Sequence, residues 1–315
     1  MSDAPIRYRS ADEDSARWQG FPFRPGDIVI STRSKSGTTW MQMICALLVL
    51  RTPELPAPLA ELSPWLDWLV EPQERVYARL AAQRHRRFIK THTPLDGVPI
   101  DSRVHYVVVA RHPLDAAVSL HHQSANLDRA RLAELTGQPT TPEAESPRPP
   151  IEQALVRWID ANPEPRTELD SLPGFLWHLS DAWARRHQPN VHLVHYDDLR
   201  ADLAGQMWHL AERLDLEPPG SDLVEAATFD QMRARADRLA PDAAGVLKER
   251  HAFFRSGRSG QGNELLDAAA RARYRARVAT LAPPDLLAWL HRADTSTPTP
   301  RAAGAAPGRH RRSRA

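Results

Sequence analysis

Four short apolar runs, separated by helix-patterned segments, constrain this chain more than any other feature. Asp27 to Thr32 (DIVIST) follows Pro25-Gly26 and reads as a buried strand. Arg87 to Lys90 (RFIK), Val104 to Ala110 (VHYVVVA) and Val191 to Tyr196 (VHLVHY) read the same way. The spacing predicts helices over 38–50, 72–85, 113–122, 151–160 and 174–187, then over 202–214, 221–237 and 268–291. Apolar runs without an alternating polar face are buried on both sides. Their alternation with helices predicts an α/β fold with a central parallel sheet flanked by helices.

The remaining segments carry less pattern. Residues 1–20 read as a polar, irregular lead-in, 51–64 as a Pro-rich loop and 240–262 as a Gly/Arg-rich segment. Residues 124–150 are rich in Pro, Thr and Glu and read as a long excursion, either a lid or an ornamental loop. From 293 the chain is Thr/Pro/Ala/Arg-rich and is expected to be disordered. That tail holds five arginines and no acid over 301–315, so the net charge of +2 becomes about −3 without it. The body is not a polycation, and no nucleic-acid partner is expected. The tail reads as solvated, with peripheral contact to an anionic membrane as the alternative.

One cysteine, Cys45, cannot form an internal disulfide. The N-terminal MSDAPIRYRS lacks the apolar core of a signal peptide. The longest apolar stretch, Met41 to Leu50, is too short to cross a bilayer and contains Gln42. The expectation is a soluble, cytoplasmic protein.

In parallel sheets ligands sit at the carboxyl ends of the strands, so the residues following each strand are the test. After the first come Arg33-Ser34-Lys35-Ser36-Gly37-Thr38-Thr39-Trp40 and a helix. A small-residue loop opening a helix is an anion cradle, to which Lys35 adds charge and Thr38 and Thr39 add hydroxyls. It is not the GxxxxGK[ST] loop, because the lysine precedes the glycine. After the second strand, Lys90 and His92 project the same way at i and i+2, and a histidine there can take a proton at neutral pH. After the third stand Arg111, able to grip a phosphate with two N–H groups, and Ser119, two turns along a helix opened by Pro113. After the fourth come Tyr196, Asp197 and Asp198, the acids reading as helix caps. Only three of 41 basic residues are lysine, and two of them, Lys35 and Lys90, lie in these motifs.

Together these strings resemble the cytosolic-type sulfotransferase family, from about Phe23 to Asn263, with a context similar to bacterial glycolipid-type members. The resemblance implies a P-loop-like three-layer fold, a catalytic domain over 21–292 and transfer of a sulfuryl group from 3′-phosphoadenosine 5′-phosphosulfate (PAPS), leaving 3′,5′-ADP (PAP). RPGDIVISTRSKSGTTW is similar to the 5′-phosphosulfate loop, implying that Lys35, Ser36, Gly37, Thr38 and Thr39 hold the 5′ end and Trp40 stacks on adenine. KTHTPL is similar to the segment with the catalytic histidine, here His92 as general base, with Lys35 and Lys90 on the transferring group. VVVARHPLDAAVSLHH implies the 3′-phosphate on Arg111 and Ser119. VHLVHYDDL places Tyr196 at the nucleotide, ATFDQM places Thr228 and Phe229 at the adenine, and FFRSGRSG implicates Arg255, Ser256 and Gly257. Phe21, Phe23, Trp65 and Trp68 fall in segments that wall the acceptor pocket in this family, ordinary core packing being the alternative. Two lysines and a helix N-terminus supply the positive field, so no metal is called for. The acceptor implied is a hydroxyl, or an amine, on a glycolipid or a small metabolite.

The chain also departs from the family. Ser256 stands where lysine is usual, with Arg258 nearby to compensate. Gln261 and Gly262 replace a common Asp-Trp, and Arg33-Ser34 replaces a common Tyr-Pro. Two other readings stay open on residues alone. A P-loop kinase or triphosphatase would need ATP and magnesium, against which the loop order speaks. A non-catalytic nucleotide-binding module leaves His92 beside Lys90 without a purpose.

Overall fold

The computed structural model describes residues 4–139, 148–242 and 244–292. Strands β1 (Ile28–Ser31), β2 (Phe88–Thr91), β3 (His105–Ala110) and β4 (Val191–His195) form one parallel sheet in the order β2-β1-β3-β4. Ile28 pairs with both Phe88 and His105, so β1 is an inner strand. Side chains alternate across the sheet, and both faces are covered. Ile28, Ile30, Phe88, Val107 and Val109 share a core with Met41, Ile44 and Leu48 of the helix Thr38–Leu50. Val29, Ile89, Tyr106 and Val108 share another with the helices Pro113–Asn126, Leu172–Ala184 and Ala268–Ala279. Three layers result. The chain steps from β1 out to β2, then returns to β3 on the other side, and that reversal opens a crevice at the carboxyl ends of β1 and β3.

Several helices differ from expectation for local reasons. Residues 268–291 form two helices, Ala268–Ala279 and Pro284–Leu290, because Pro283 and Pro284 cannot continue the first. Residues 221–237 divide into Ser221–Ala226, Phe229–Ala234 and Ala236–Leu239. The helix opened by Pro113 runs on to Asn126, and a further helix, Arg129–Thr136, occupies the 124–150 excursion between an Asp128 cap and Gly137. This stretch is anchored, since the Asp128 amide donates to the Val246 carbonyl at 2.8 Å. The centre of the excursion, 140–147, and the Arg-rich tail from 293 lie outside the described residues. Among the described residues no helix is long and apolar enough to cross a membrane.

The lead-in has one turn of 3₁₀ helix, Ser15–Trp18, and otherwise irregular backbone. It is nevertheless part of the core. Trp18 is fully buried against Phe21 and Phe23, and its indole N–H donates to Asp67 at 3.0 Å. Asp67 is buried as well and also accepts from the hydroxyls of Thr91 and Thr93, on either side of His92. The first segment of the chain is thereby tied to the end of β2. Trp18→Ala should lower the unfolding free energy by about 3–5 kcal/mol, as for other fully buried large aromatics. Urea denaturation followed by circular dichroism reads this, and a loss within about 0.5 kcal/mol would place the lead-in outside the core.

Candidate active site

A cavity of about 650 Å³ opens at the carboxyl ends of the strands. One end is built to receive an anion. Lys35 and Gly37 adopt left-handed backbone (φ 62° and 106°), which turns the loop after β1 into the helix Thr38–Leu50. At 37 only glycine fits, because a Cβ would also lie 3.0 Å from the Tyr196 ring. No side chain caps this helix, and its first residues line the cavity, leaving first-turn amides for a ligand. The hydroxyls of Ser36 and Thr38 and the Nε of Arg111 are buried without a protein partner. Such groups are costly unless a ligand satisfies them, and with the free amides they form a donor set suited to phosphate-type oxygens.

The rest of Arg111 is fixed. Its Nη1 donates to the Lys35 carbonyl at 3.0 Å, its Nη2 to the Arg258 carbonyl at 2.8 Å, and the guanidinium lies 4.4 Å from the Tyr196 ring centre. Trp40 donates to the Ala227 carbonyl at 2.8 Å and meets Tyr196 edge-on. Ser119 lines the cavity from the helix Pro113–Asn126. On the facing segment, Gln261 accepts from Arg255 and lies 3.5 Å from the Ser256 hydroxyl. Gln261 therefore organises the late loop. Gly262 is required by packing, since a Cβ there would lie 2.4 Å from that of Leu114, while its amide donates to Asp115 at 2.9 Å. Arg258 contributes its carbonyl, and its side chain is not among those lining the cavity.

The other end holds a buried imidazole. The Nδ1 of His92 is bonded to the Thr32 carbonyl. A carbonyl only accepts, so Nδ1 carries the proton and Nε2 has its lone pair free for proton abstraction. Burial, then the neighbouring Lys90 and Arg33, hold the imidazole well below its ordinary pKa and keep it neutral. Trp65 meets His92 edge-on at 4.6 Å, stacks on Trp68 at 5.0 Å and lies 3.8 Å from the Lys90 ammonium. Burial, and the positive charges of Arg111, Lys90 and Arg255, lower the Lys35 amine to about 7. Burial lowers Lys90 to about 8, against the opposing pull of Glu13, Asp67 and Asp12.

One cavity thus gathers Lys35, Gly37, Thr38, Thr39, Trp40, Lys90, His92, Arg111, Ser119, Tyr196, Phe229, Arg255, Ser256 and Gly257, together with Trp65 and Trp68. Ser36 lies fully buried within the loop. Three expected residues lie elsewhere. Phe21 and Phe23 pack on Trp18, with Phe21 also against Tyr77, and do not line the cavity. Thr228 turns its hydroxyl to the Glu225 carbonyl at 2.8 Å, ahead of the helix Phe229–Ala234. The sequence reading missed Glu13, Arg33, Trp158 and Asp170, all of which line the cavity. Burial raises the Glu13 carboxyl to about 8, opposed by Arg33 and reinforced by Asp67, Asp12 and Asp170. Nothing in an irregular polar lead-in signalled Glu13, whereas Arg33 was visible as a departure from Tyr-Pro.

The family described as sulfotransferase domain matches residues 25–280. A glycolipid sulfotransferase of Mycobacterium bovis is 44% identical over 313 residues, covering 92% of this chain and 95% of that protein. One of Mycobacterium tuberculosis is 42% identical over 312 residues, with the same coverage of both chains. A crystal structure of a mouse sulfotransferase complexed with PAP superposes with a TM-score of 0.65 at 16% identity, over 90% of this chain and 92% of that one, and supports the fold.

The lowered lysines give a direct test of the anion end. With lysine carbon-13 labelled at Cε, NMR titration should find amines with midpoints near 7 for Lys35 and 8 for Lys90. An anion in the cavity favours the charged amine, so 3′,5′-ADP should move the Lys35 midpoint upward. A midpoint unmoved at saturating 3′,5′-ADP would place the anion elsewhere.

Proposed function

The chain belongs to the family of sulfotransferase domains, and from that premise we propose that it moves a sulfuryl group from PAPS to a hydroxyl on a glycolipid, with His92 as general base. The observation that carries this reading is the juxtaposition, in one cavity, of unpartnered buried donors with a neutral imidazole whose Nε2 is free. Lys35, Ser36, Thr38, Thr39 and the helix N-terminus would hold the 5′ end of the donor. Arg111 and Ser119, with Arg255, Ser256 and Gly257, would hold its 3′-phosphate, and Trp40, Tyr196 and Phe229 its adenine. When bound, PAPS supplies an activated sulfuryl group with a phosphate oxygen as leaving group.

Like phosphoryl transfer, the reaction spreads charge over equatorial oxygens, so positioning and electrostatics do most of the work. His92 Nε2 takes the proton of the acceptor hydroxyl as its oxygen forms the new S–O bond and the bridging S–O bond breaks. Lys90 faces the developing charge on the sulfuryl oxygens, and Lys35 that on the leaving oxygen. Both amines gain protons readily beside an anion, which suits pKa values lowered in the free protein.

The acceptor side is amphipathic. Trp65, Trp68 and Trp158 offer flat apolar faces, Asp12, Glu13 and Asp170 offer hydrogen-bond acceptors, and Leu120, Leu127 and Leu132 extend an apolar wall. A sugar head on a lipid stem matches that mixture, and both mycobacterial relatives are named for glycolipid sulfation.

Incubation with radiolabelled PAPS and a mycobacterial extract should place label in the lipid-soluble glycolipid fraction. Label confined to water-soluble compounds would move the acceptor to small metabolites. Tight 3′,5′-ADP binding with no label in any fraction would favour the non-catalytic module. His92→Ala should lower turnover by ~10²–10⁴-fold with 3′,5′-ADP affinity retained, and near-normal turnover would remove His92 from the base role. Arg111→Ala should weaken 3′,5′-ADP binding roughly tenfold to a hundredfold, the scale of a lost charge-assisted hydrogen bond. Calorimetry reads this, and unchanged affinity would refute the phosphate role.

A further inference from the structure

Strand pairing between β1 and β2 ends where the Thr32 amide donates to the Thr91 carbonyl at 3.2 Å. His92 lies one residue past that rung, so the ladder does not orient it. Two consecutive residues across the gap take over. The Thr32 carbonyl accepts the Nδ1 proton of His92, and the Arg33 guanidinium donates to the carbonyl of His92 itself. The same guanidinium pairs with Asp170, just ahead of the helix Leu172–Ala184. The Arg33 side chain is only 3% exposed, against 48% for Asp170, and Arg33 Nε has no partner. Both residues line the cavity. Burying a guanidinium carries a desolvation penalty, and one half-exposed carboxylate offsets only part of it. A purely structural tie between two loops would be cheaper with apolar groups.

We propose that Arg33 is a positioning residue for sulfuryl transfer: it clamps His92 in the orientation that presents Nε2 to the acceptor and ties that orientation to the acceptor-side loop through Asp170. The proposal rests on reading His92 as the base. Arg33 acts through His92.

The charges around His92 make the clamp measurable. Lys90 faces it from β2, Arg33 from the loop after β1, and His178 from the helix Leu172–Ala184. His178 is buried and held well below its ordinary pKa, with Nε2 3.0 Å from the Ser31 hydroxyl. Asp170 and Glu13 face Arg33 from two further loops. Removing Arg33 takes away one of two cations and leaves Asp170 uncompensated, so His92 must titrate at higher pH. Removing the Asp170 charge alone leaves Arg33 in place and must move His92 lower. Opposite shifts from the two partners are not expected of general loosening.

The test is NMR titration of nitrogen-15-labelled histidine in the full chain saturated with 3′,5′-ADP, the His92 signal being assigned by its loss in His92→Ala. Wild-type protein should show a fixed Nδ1–H tautomer, and its midpoint is the reference for the variants. Arg33→Met should raise the midpoint and mix the tautomers while 3′,5′-ADP affinity by calorimetry stays within about twofold of wild type. Arg33→Lys keeps the charge but cannot span both partners, so the midpoint should stay and the tautomer loosen. Asp170→Asn should lower the midpoint. On the fraction that accepts labelled sulfate, Arg33→Met should turn over on the order of a hundredfold more slowly with KM for PAPS unchanged. An Arg33→Met protein with wild-type midpoint, tautomer and turnover overturns the proposal. Should that variant not fold, a wild-type His92 tautomer in Arg33→Lys together with an unmoved midpoint in Asp170→Asn overturns it equally. Normal turnover in His92→Ala would instead sink the base assignment while the titration still decides whether the clamp exists.

Discussion

Mutual repulsion among cations is the constraint on which the rest of this structure depends. Lys35, Lys90, Arg111 and Arg255 converge on one cavity, and burial together with the charges of Arg111, Lys90 and Arg255 drives the Lys35 amine down to about 7. Such a cluster survives only if the surrounding fold is rigid enough to hold it. Four parallel strands buried on both faces supply that rigidity. An anion entering the cavity would relieve that repulsion. An anion that neutralises the cluster therefore adds its binding free energy to the stability of the folded state.

Buried carboxylates are placed to support this arrangement without filling it. Asp115 accepts from the amides of Gly260 and Gly262 and fixes the segment that carries Arg255. Asp67 gathers Trp18, Thr91 and Thr93 and braces the residues on either side of His92. Asp27 takes both arms of the buried Arg87 where β1 and β2 begin, at the opposite end of the strands from the cavity. None of these three lines the cavity. These three carboxyl groups order the backbone behind the cavity wall, and the donors that line it stay available.

The gathering of the strand-end residues in one cavity was legible because it obeys local rules. Each of Lys35, His92, Arg111 and Tyr196 stands within a few residues of a strand's carboxyl end, and the loop Arg33–Trp40 announces a helix N-terminus by composition alone. The helix Ile151–Asp160 follows its apolar spacing to the residue. Phe21, Phe23 and Thr228 were carried over from the family resemblance, with core packing as the alternative for the two phenylalanines; aromatic packing on Trp18 and a bond to the Glu225 carbonyl keep all three off the cavity wall. Glu13 and Asp170 reach the cavity from irregular backbone, where no periodicity says which face turns inward. Arg33 was visible only as an oddity, because its partners lie 59 and 137 residues away.

This division separates what the two ends of the cavity can tolerate. The proposed donor end is built into backbone: a left-handed Gly37, an uncapped helix and a strand register that sets Lys90 beside β1. Altering it means altering the sheet. The proposed acceptor side is lined by side chains from the lead-in, from the Trp65–Trp68 loop and from the segment around Asp170, none of which is a strand. Those walls can change shape and polarity while the chemistry behind them stays fixed, provided one connection is kept. If His92 is the base, it must face whatever the outer loops deliver, and Arg33, bonded to both the His92 carbonyl and Asp170, is the residue that joins the strand-end side of the cavity to its loop side.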